Sequence, residues 1–186
     1  QIRVWETRCE SLNIPISVNV SAKQIWQKDF HQQVLKVLEQ QGVKPSRIKL
    51  ELTEGALVND FDTVNHNVQS LRAAGIKFSL DDFGTGYSSL SYLKRLTFDQ
   101  IKIDQSFVRN LLEDPGNAII AGVIVDLARD FGFEVIAEGV ETEEQLNFLL
   151  SKGCECFQGY LFAKPMPADE LQVFATQDGA SCLSTL

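Results

Sequence analysis

Eight polar side chains recur through the chain, each at or just past the end of a short apolar run: Asn19, Glu51, Asp81, Asp82, Lys102, Asp104, Glu138 and Gln158. Any one of them is ordinary. Asp81-Asp82 before Phe83-Gly84 is explained by a surface turn if taken alone. Glu51 is harder to place. It stands between Leu50 and Leu52, and a carboxylate inside an apolar strand is costly unless it is paired or ligates a cation. Glu138, after Val135-Ile136-Ala137, invites the same argument. Lys102, between Ile101 and Ile103, suits a counter-ion to these acids or a group that positions an attacking water, and the two roles are compatible. Converging carboxylates repel one another, so a divalent cation is the simplest neutraliser. Oxygen donors favour Mg2+ or Mn2+ over Zn2+. Such a set supports metal-assisted hydrolysis of a phosphodiester, with two ions about 3.5–4 Å apart sharing one carboxylate. Asp81 is the natural bridge, with Asp82 beside it. His31 and His66 fall on helical segments away from these positions and read as surface or packing residues.

The elements that must position this set follow one rhythm: a β-rich run, a polar turn, then an amphipathic stretch closed by Gly. Strands are predicted at residues 14–20, 48–52, 76–80, 98–103, 133–137 and 154–160. Phe30, Val34, Leu35, Val37 and Leu38 form one helical face, with Asp29 as its cap and Gly42 at its end. Phe61, Val64, Val68 and Leu71 mark a second helix, closed by Gly75. The loop Phe83-Gly84-Thr85-Gly86 leads to a short helix through Leu90 and Leu93, and a longer apolar helix covers about 118–131. Thr142 and Gln145 have capping-box spacing for a helix ended by Gly153, and a last helix is expected over 169–174. The alternation implies parallel β-α units. Six units in 186 residues come to about 31 residues each, the cadence of a (β/α)8 TIM-like barrel of about 250 residues with two units missing. A doubly wound open sheet is the alternative, but its Gly-rich phosphate signature after the first strand is absent. The C-terminal rim of parallel strands is where both architectures build their sites, and that rim is where the polar residues fall.

Composition narrows the function classes. With 44% hydrophobic and 23% charged residues the chain is an ordinary globular domain. Its net charge of −8 argues against binding DNA or RNA polymers or an anionic membrane surface. No apolar run reaches the ~18–20 residues of a membrane span, so no membrane insertion by this segment is expected and the domain reads as cytoplasmic. The chain starts at Gln1, without Met or a signal peptide, as a cut or processed piece would. Residues 1–176 are expected to form the domain and 177–186 a fraying tail. The four cysteines are read as reduced thiols, with Cys156 facing a core and no zinc site.

Six ordered motifs then carry a resemblance: Asn19-Val20-Ser21; Glu51-Leu52-Thr53-Glu54; Asp81-Asp82-Phe83-Gly84-Thr85-Gly86; Lys102-Ile103-Asp104; Glu138-Gly139-Val140-Glu141; and Gln158-Gly159-Tyr160-Leu161-Phe162. Together they resemble the EAL-domain family of bacterial phosphodiesterases acting on cyclic di-GMP (c-di-GMP). The resemblance implies a barrel of EAL type and hydrolysis of c-di-GMP to linear pGpG with Mg2+ or Mn2+, as two ions. It implies Asn19, Glu51, Asp81, Asp82 and Glu138 as metal ligands, and Lys102 as the residue orienting water. Glu138 matches a residue used as ligand or general base. Glu54 and Glu141 match residues that keep the Asp82-Phe83-Gly84 loop in order, while Gln158 and Asp104 match positions lining the substrate site. A homodimer through the helix after the Gly84-Thr85-Gly86 loop, and sensor or GGDEF domains upstream in a membrane-tethered parent, would fit the family. One departure is plain: the Glu-Ala-Leu tripeptide that names the family does not occur. The expectation is therefore a partial domain, weakly active or inactive by itself. A degenerate domain serving as a c-di-GMP receptor is the alternative.

Overall fold

The computed structural model describes Ile2 and residues 14–86 and 90–177. Six parallel strands lie in chain order, β1 to β6, in one open sheet: Ile16–Val20, Ile48–Thr53, Lys77–Phe83, Gln100–Ile103, Glu134–Glu138 and Cys156–Gln158. This is the partial barrel-type sheet expected from the strand–helix alternation. The chain divides into two compact units, residues 1–81 with 86–99, and residues 82–85 with 100–186.

In the first unit, β1 is followed by the short α1 (Ala22–Ile25) and by α2 (Phe30–Gln41). Gly42 closes α2 at φ 60°, a left-handed position that favours glycine. Asp29 does not cap α2 with its side chain: Oδ2 instead accepts from Gln33 Nε2 at 2.9 Å. After β2 comes α3 (Phe61–Ala73), whose Asp60 accepts from the Thr63 amide as a true N-cap. Val64, Val68 and Leu71 of α3 are buried, as their spacing requires. Arg72 pairs with Asp99, whose Oδ2 also accepts from the Phe78 amide at 2.8 Å, pinning α3 to the start of β3. α4 (Leu90–Arg95) follows the Gly84-Thr85-Gly86 loop sequence, and Tyr92 stacks on Phe61 with centroids 5.0 Å apart.

In the second unit, β4 leads directly into α5 (Gln105–Arg109), a helix of five residues that carries too little apolar periodicity to be read from sequence. α6 (Pro115–Phe131) begins three residues earlier than its apolar pattern suggests, because Asp114 caps the Gly116 amide and Pro115 sits in the first turn, where no N–H is needed. α7 (Glu143–Ser151) has the expected capping box between Thr142 and Gln145. α8 (Ala168–Gln177) ends the described chain. Cys154, not Cys156, is the buried thiol, while Cys156 is half-buried with Sγ 3.5 Å from Glu134 Oε1. Strand alternation explains the correction. β6 begins at Cys156 and not at Cys154, so Cys154 belongs to the turn that plugs the core after α7. Cys154 and Cys156 are reduced thiols; Cys9 and Cys182 lie outside the described residues.

Candidate metal centre

Register builds the first half of the site. Asn19 of β1 lies opposite Glu51 of β2, and Glu51 opposite Ser79 of β3. Thr53 lies opposite Asp81. Side chains two residues apart on a strand share a face, so Asn19, Glu51, Ser79 and Asp81 stand on one side of this part of the sheet. Glu51 is 8% exposed, Asn19 is exposed, and Ser79 is buried. Ser79 carries no motif, and only the observed register places it between two acids.

The next acid breaks the strand rule. Adjacent strand residues point to opposite faces, so Asp81 and Asp82 would diverge in a regular β3. Asp82 instead has φ 53°, the single positive value among the described non-glycine residues. Such a conformation costs of order 1–2 kcal/mol for most side chains, and Asp and Asn tolerate it best. Thr85 secures the turn, donating Oγ1–H to the Asp82 carbonyl at 2.9 Å. The kink brings consecutive carboxylates together.

In the second unit, Lys102 of β4 is opposite Ile136, two residues before Glu138, and Gln158 of β6 is opposite Glu138. Lys102, 5% exposed, places Nζ 2.6 Å from Glu138 Oε1. A pair this shielded gains from attraction what it loses in desolvation only while both partners remain. Asp82, its chain neighbour Asp81, and Glu138 each offer a carboxylate oxygen, and these oxygens lie within 4.8 Å of one another. The donor set is all oxygen, with neither His nor Cys in the group. Such chemistry fits a hard divalent cation, which takes carboxylate ligands at about 2.0–2.6 Å.

Asp104 caps α5, its Oδ1 accepting from the Ser106 amide at 2.9 Å. Glu54 is buried, and a Cβ at Gly86 would stand 2.7 Å from its Oε2, so the carboxylate lies directly against the loop after Asp82. The Glu141 amide donates to Gln145 Oε1 at 2.8 Å, tying that residue to the α7 cap. Glu138, Glu141 and Gln158 line a pocket of about 300 Å³ together with Gln105, Arg109 and Tyr160. Sequence patterning misses Gln105 and Arg109 because they ride on α5, which has no period to read. Gly139 (φ 70°) and Gly159 shape the pocket wall: a Cβ on Gly159 would overlap the Val140 backbone, whose amide donates to the Gln158 carbonyl at 3.1 Å.

Comparison with known proteins agrees with this geometry. Residues 1–165 match the EAL domain family. The chain is 43% identical over 156 residues to the bifunctional diguanylate cyclase/cyclic di-GMP phosphodiesterase MucR of Pseudomonas aeruginosa, covering 84% of this chain and 23% of that protein. It spans about a fifth of the length of the curated relatives it matches. The solved MucR phosphodiesterase in complex with c-di-GMP superposes with TM-score 0.85 at 40% identity, over 91% of this chain and 68% of that one. The EAL domain of Mycobacterium smegmatis DcpA gives TM-score 0.87 at 37% identity, over 94% and 78%. Klebsiella pneumoniae BlrP1, solved as a manganese/cyclic di-GMP complex, gives 0.75 at 34% identity, over 83% and 40%. Motifs, open parallel sheet and clustered acids thus lead to one assignment: the chain belongs to the EAL-domain family.

Proposed function

We propose that the chain carries the catalytic groups for metal-dependent hydrolysis of c-di-GMP to linear pGpG. The observation that carries the reading is the meeting of Asp81, Asp82 and Glu138 carboxylates beside the Lys102 ammonium, in a family whose solved members include c-di-GMP complexes. Asp81, Asp82 and Glu138 would hold Mg2+ or Mn2+, with Asn19 and Glu51 as further ligands of a two-ion set. When bound, the ions supply Lewis acidity to the phosphate and an acidified water.

Lys102 has three N–H donors and can hold the attacking water while it stays paired with Glu138. Glu138 would take the proton as the water oxygen–phosphorus bond forms and the phosphorus–O3′ bond breaks; the O3′ leaving group would take up a proton from solvent, and Glu138 would return its own to solvent, so that one water is consumed. Gln158, level with Glu138, offers an amide donor to a phosphate oxygen. Glu54 and Glu141 serve by keeping the Asp82–Gly86 turn and the Glu138–Glu141 turn in shape. Asp104, engaged in its cap, contributes to substrate binding through the position of α5.

We also place a self-contact of two copies on α6. α4, directly after the loop, exposes Ser91, Lys94 and Arg95, whereas α6 exposes Ile119 (65%) and Val123 (58%). Sensor or cyclase domains would belong to the parent protein. No helix among the described residues is long and apolar enough to cross a membrane.

The test is pGpG release from c-di-GMP with Mn2+, with Mg2+ and with EDTA, by this chain and by a longer chain carrying a Glu-Ala-Leu strand upstream. Metal-dependent product, abolished by Asp81→Asn, supports the reading. Nucleotide binding without product from either chain would overturn it in favour of a receptor.

A further inference from the structure

The chain has two histidines, and neither takes part in the chemistry above. They lie 35 positions apart in sequence, on α2 and α3, which pack together. Their rings meet with centroids 5.0 Å apart and planes at 89°. His31 is half-buried and His66 exposed. Asn67, completely buried, sits beneath the pair. Its amide nitrogen donates to the Ile25 carbonyl at 2.8 Å and the Gln27 carbonyl at 2.9 Å. Both amide hydrogens are therefore used, and the orientation of the amide is fixed. Its Oδ1 then has to be the acceptor for His31 Nδ1 at 2.7 Å. Nδ1 of His31 must carry the hydrogen, which leaves Nε2 as the lone-pair nitrogen of the neutral ring.

An imidazole with one nitrogen donated to a fixed carbonyl oxygen and the other held as a lone pair is the arrangement found in metal-ligating histidines. The separation fits too. An ion about 2.0–2.1 Å from one nitrogen of each ring lies about 3 Å from each centroid, so at a tetrahedral angle the centroids stand about 5 Å apart. Perpendicular rings can both turn a nitrogen edge towards one point, and the exposed His66 ring adjusts its χ2 at small cost. We propose that His31 and His66 form a binding site for one divalent transition ion of the imidazole-preferring class, Zn2+, Ni2+ or Cu2+, which clips α2 to α3. Two protein ligands leave the rest of the coordination sphere to water. The donor type separates this site from the carboxylate cluster: imidazole selects the borderline metals, whereas Mg2+ and Mn2+ go to oxygen. Occupation of the clip stabilises the folded state by mass action, because the two rings converge only in that state.

The experiment titrates the chain with Zn2+ and with Ni2+ in saturating Mg2+, following binding calorimetrically and the melting temperature in parallel. Native protein is expected to take up one equivalent that His66→Gln lacks or binds at least tenfold more weakly, with the melting shift lost alongside. His66 is exposed, so this variant keeps the fold. His31→Gln should act alike, and Cu2+ bound to native protein should show hyperfine splitting from two nitrogens in its electron paramagnetic resonance spectrum. Equal stoichiometry and affinity in native protein and both variants, or coupling to a single nitrogen, would overturn the proposal.

Discussion

Replacing Asp82 by Asn separates the two things this residue does. Asn tolerates the left-handed backbone at φ 53°, so the turn survives, while one charge leaves the cluster. Without metal, two unit charges 4.8 Å apart repel by about 3.5 kcal/mol at an effective dielectric of 20. Glu138 is paired with Lys102 at 2.6 Å, which damps its share of that repulsion. After solvent screening a gain of about 1–3 kcal/mol remains, or roughly 2–10 °C in melting temperature for a domain of this size. With metal the sign reverses, because native protein gains binding energy that the variant has lost. The assay is thermal unfolding of both proteins in EDTA and in Mn2+. Asp82→Asn should melt higher in EDTA and respond little to Mn2+, whereas native protein should rise. A variant that melts lower than native protein in EDTA would refute the electrostatic argument, and one that rises with Mn2+ as far as native protein would remove Asp82 from the ligand set. Asp82→Ala is the backbone control: it sheds the same charge but meets the steric penalty of about 1–2 kcal/mol, so it should melt below Asp82→Asn in EDTA.

Three further outcomes are expected. Lys102→Met should lower metal-free stability by about 3–5 kcal/mol because Glu138 loses its cation, and the double variant with Glu138→Gln should recover most of that loss without recovering hydrolysis, as denaturant titration and product assay will show. Gly159→Ala should cost more than about 3 kcal/mol or prevent folding, since the added methyl would overlap Val140 backbone and not a movable side chain; circular dichroism with urea reads this directly. Burial pushes the Cys154 thiol from its ordinary 9.0 to about 12, so its contribution to stability is intact below pH 9 and is lost as pH rises towards 12; in the native state, a thiol reagent at neutral pH should label Cys156 well before Cys154, which mass spectrometry of the peptide can quantify.

The parallel sheet is legible in the sequence because its units repeat the same pattern, apolar run, polar rim residue, amphipathic helix. The acids are legible for a related reason: Glu51 and Glu138 violate the pattern of their own strands, and burial of charge always needs an explanation. Boundaries are less accessible. β3 runs on past its apolar run to Phe83, and its pairing with β2 continues as far as Asp81, opposite Thr53, a property of the partner strand and not of the segment itself. α5 stays hidden because five residues cannot show a helical period, and its start is announced only by Asp104, whose motif points to the substrate instead. The histidine pair reads as packing, and it does pack; that the two rings meet depends on the α2–α3 contact, which no local signal encodes. The kink at Asp82 is equally invisible, since nothing in Asp-Asp-Phe-Gly distinguishes a strand end from a left-handed turn.

That kink constrains the mutational history open to the chain. At φ 53° the backbone admits Asp, Asn and Gly with little penalty and resists most other residues. Codons for Asn and for Gly each lie one base change from those for Asp. Both replacements remove the carboxylate while leaving the turn intact, so a lineage can give up this charge in a single step without passing through an unfolded ancestor. Reverting is just as short. Descendants in which only this position has changed should therefore be stable, and Asn or Gly should be the residues they carry.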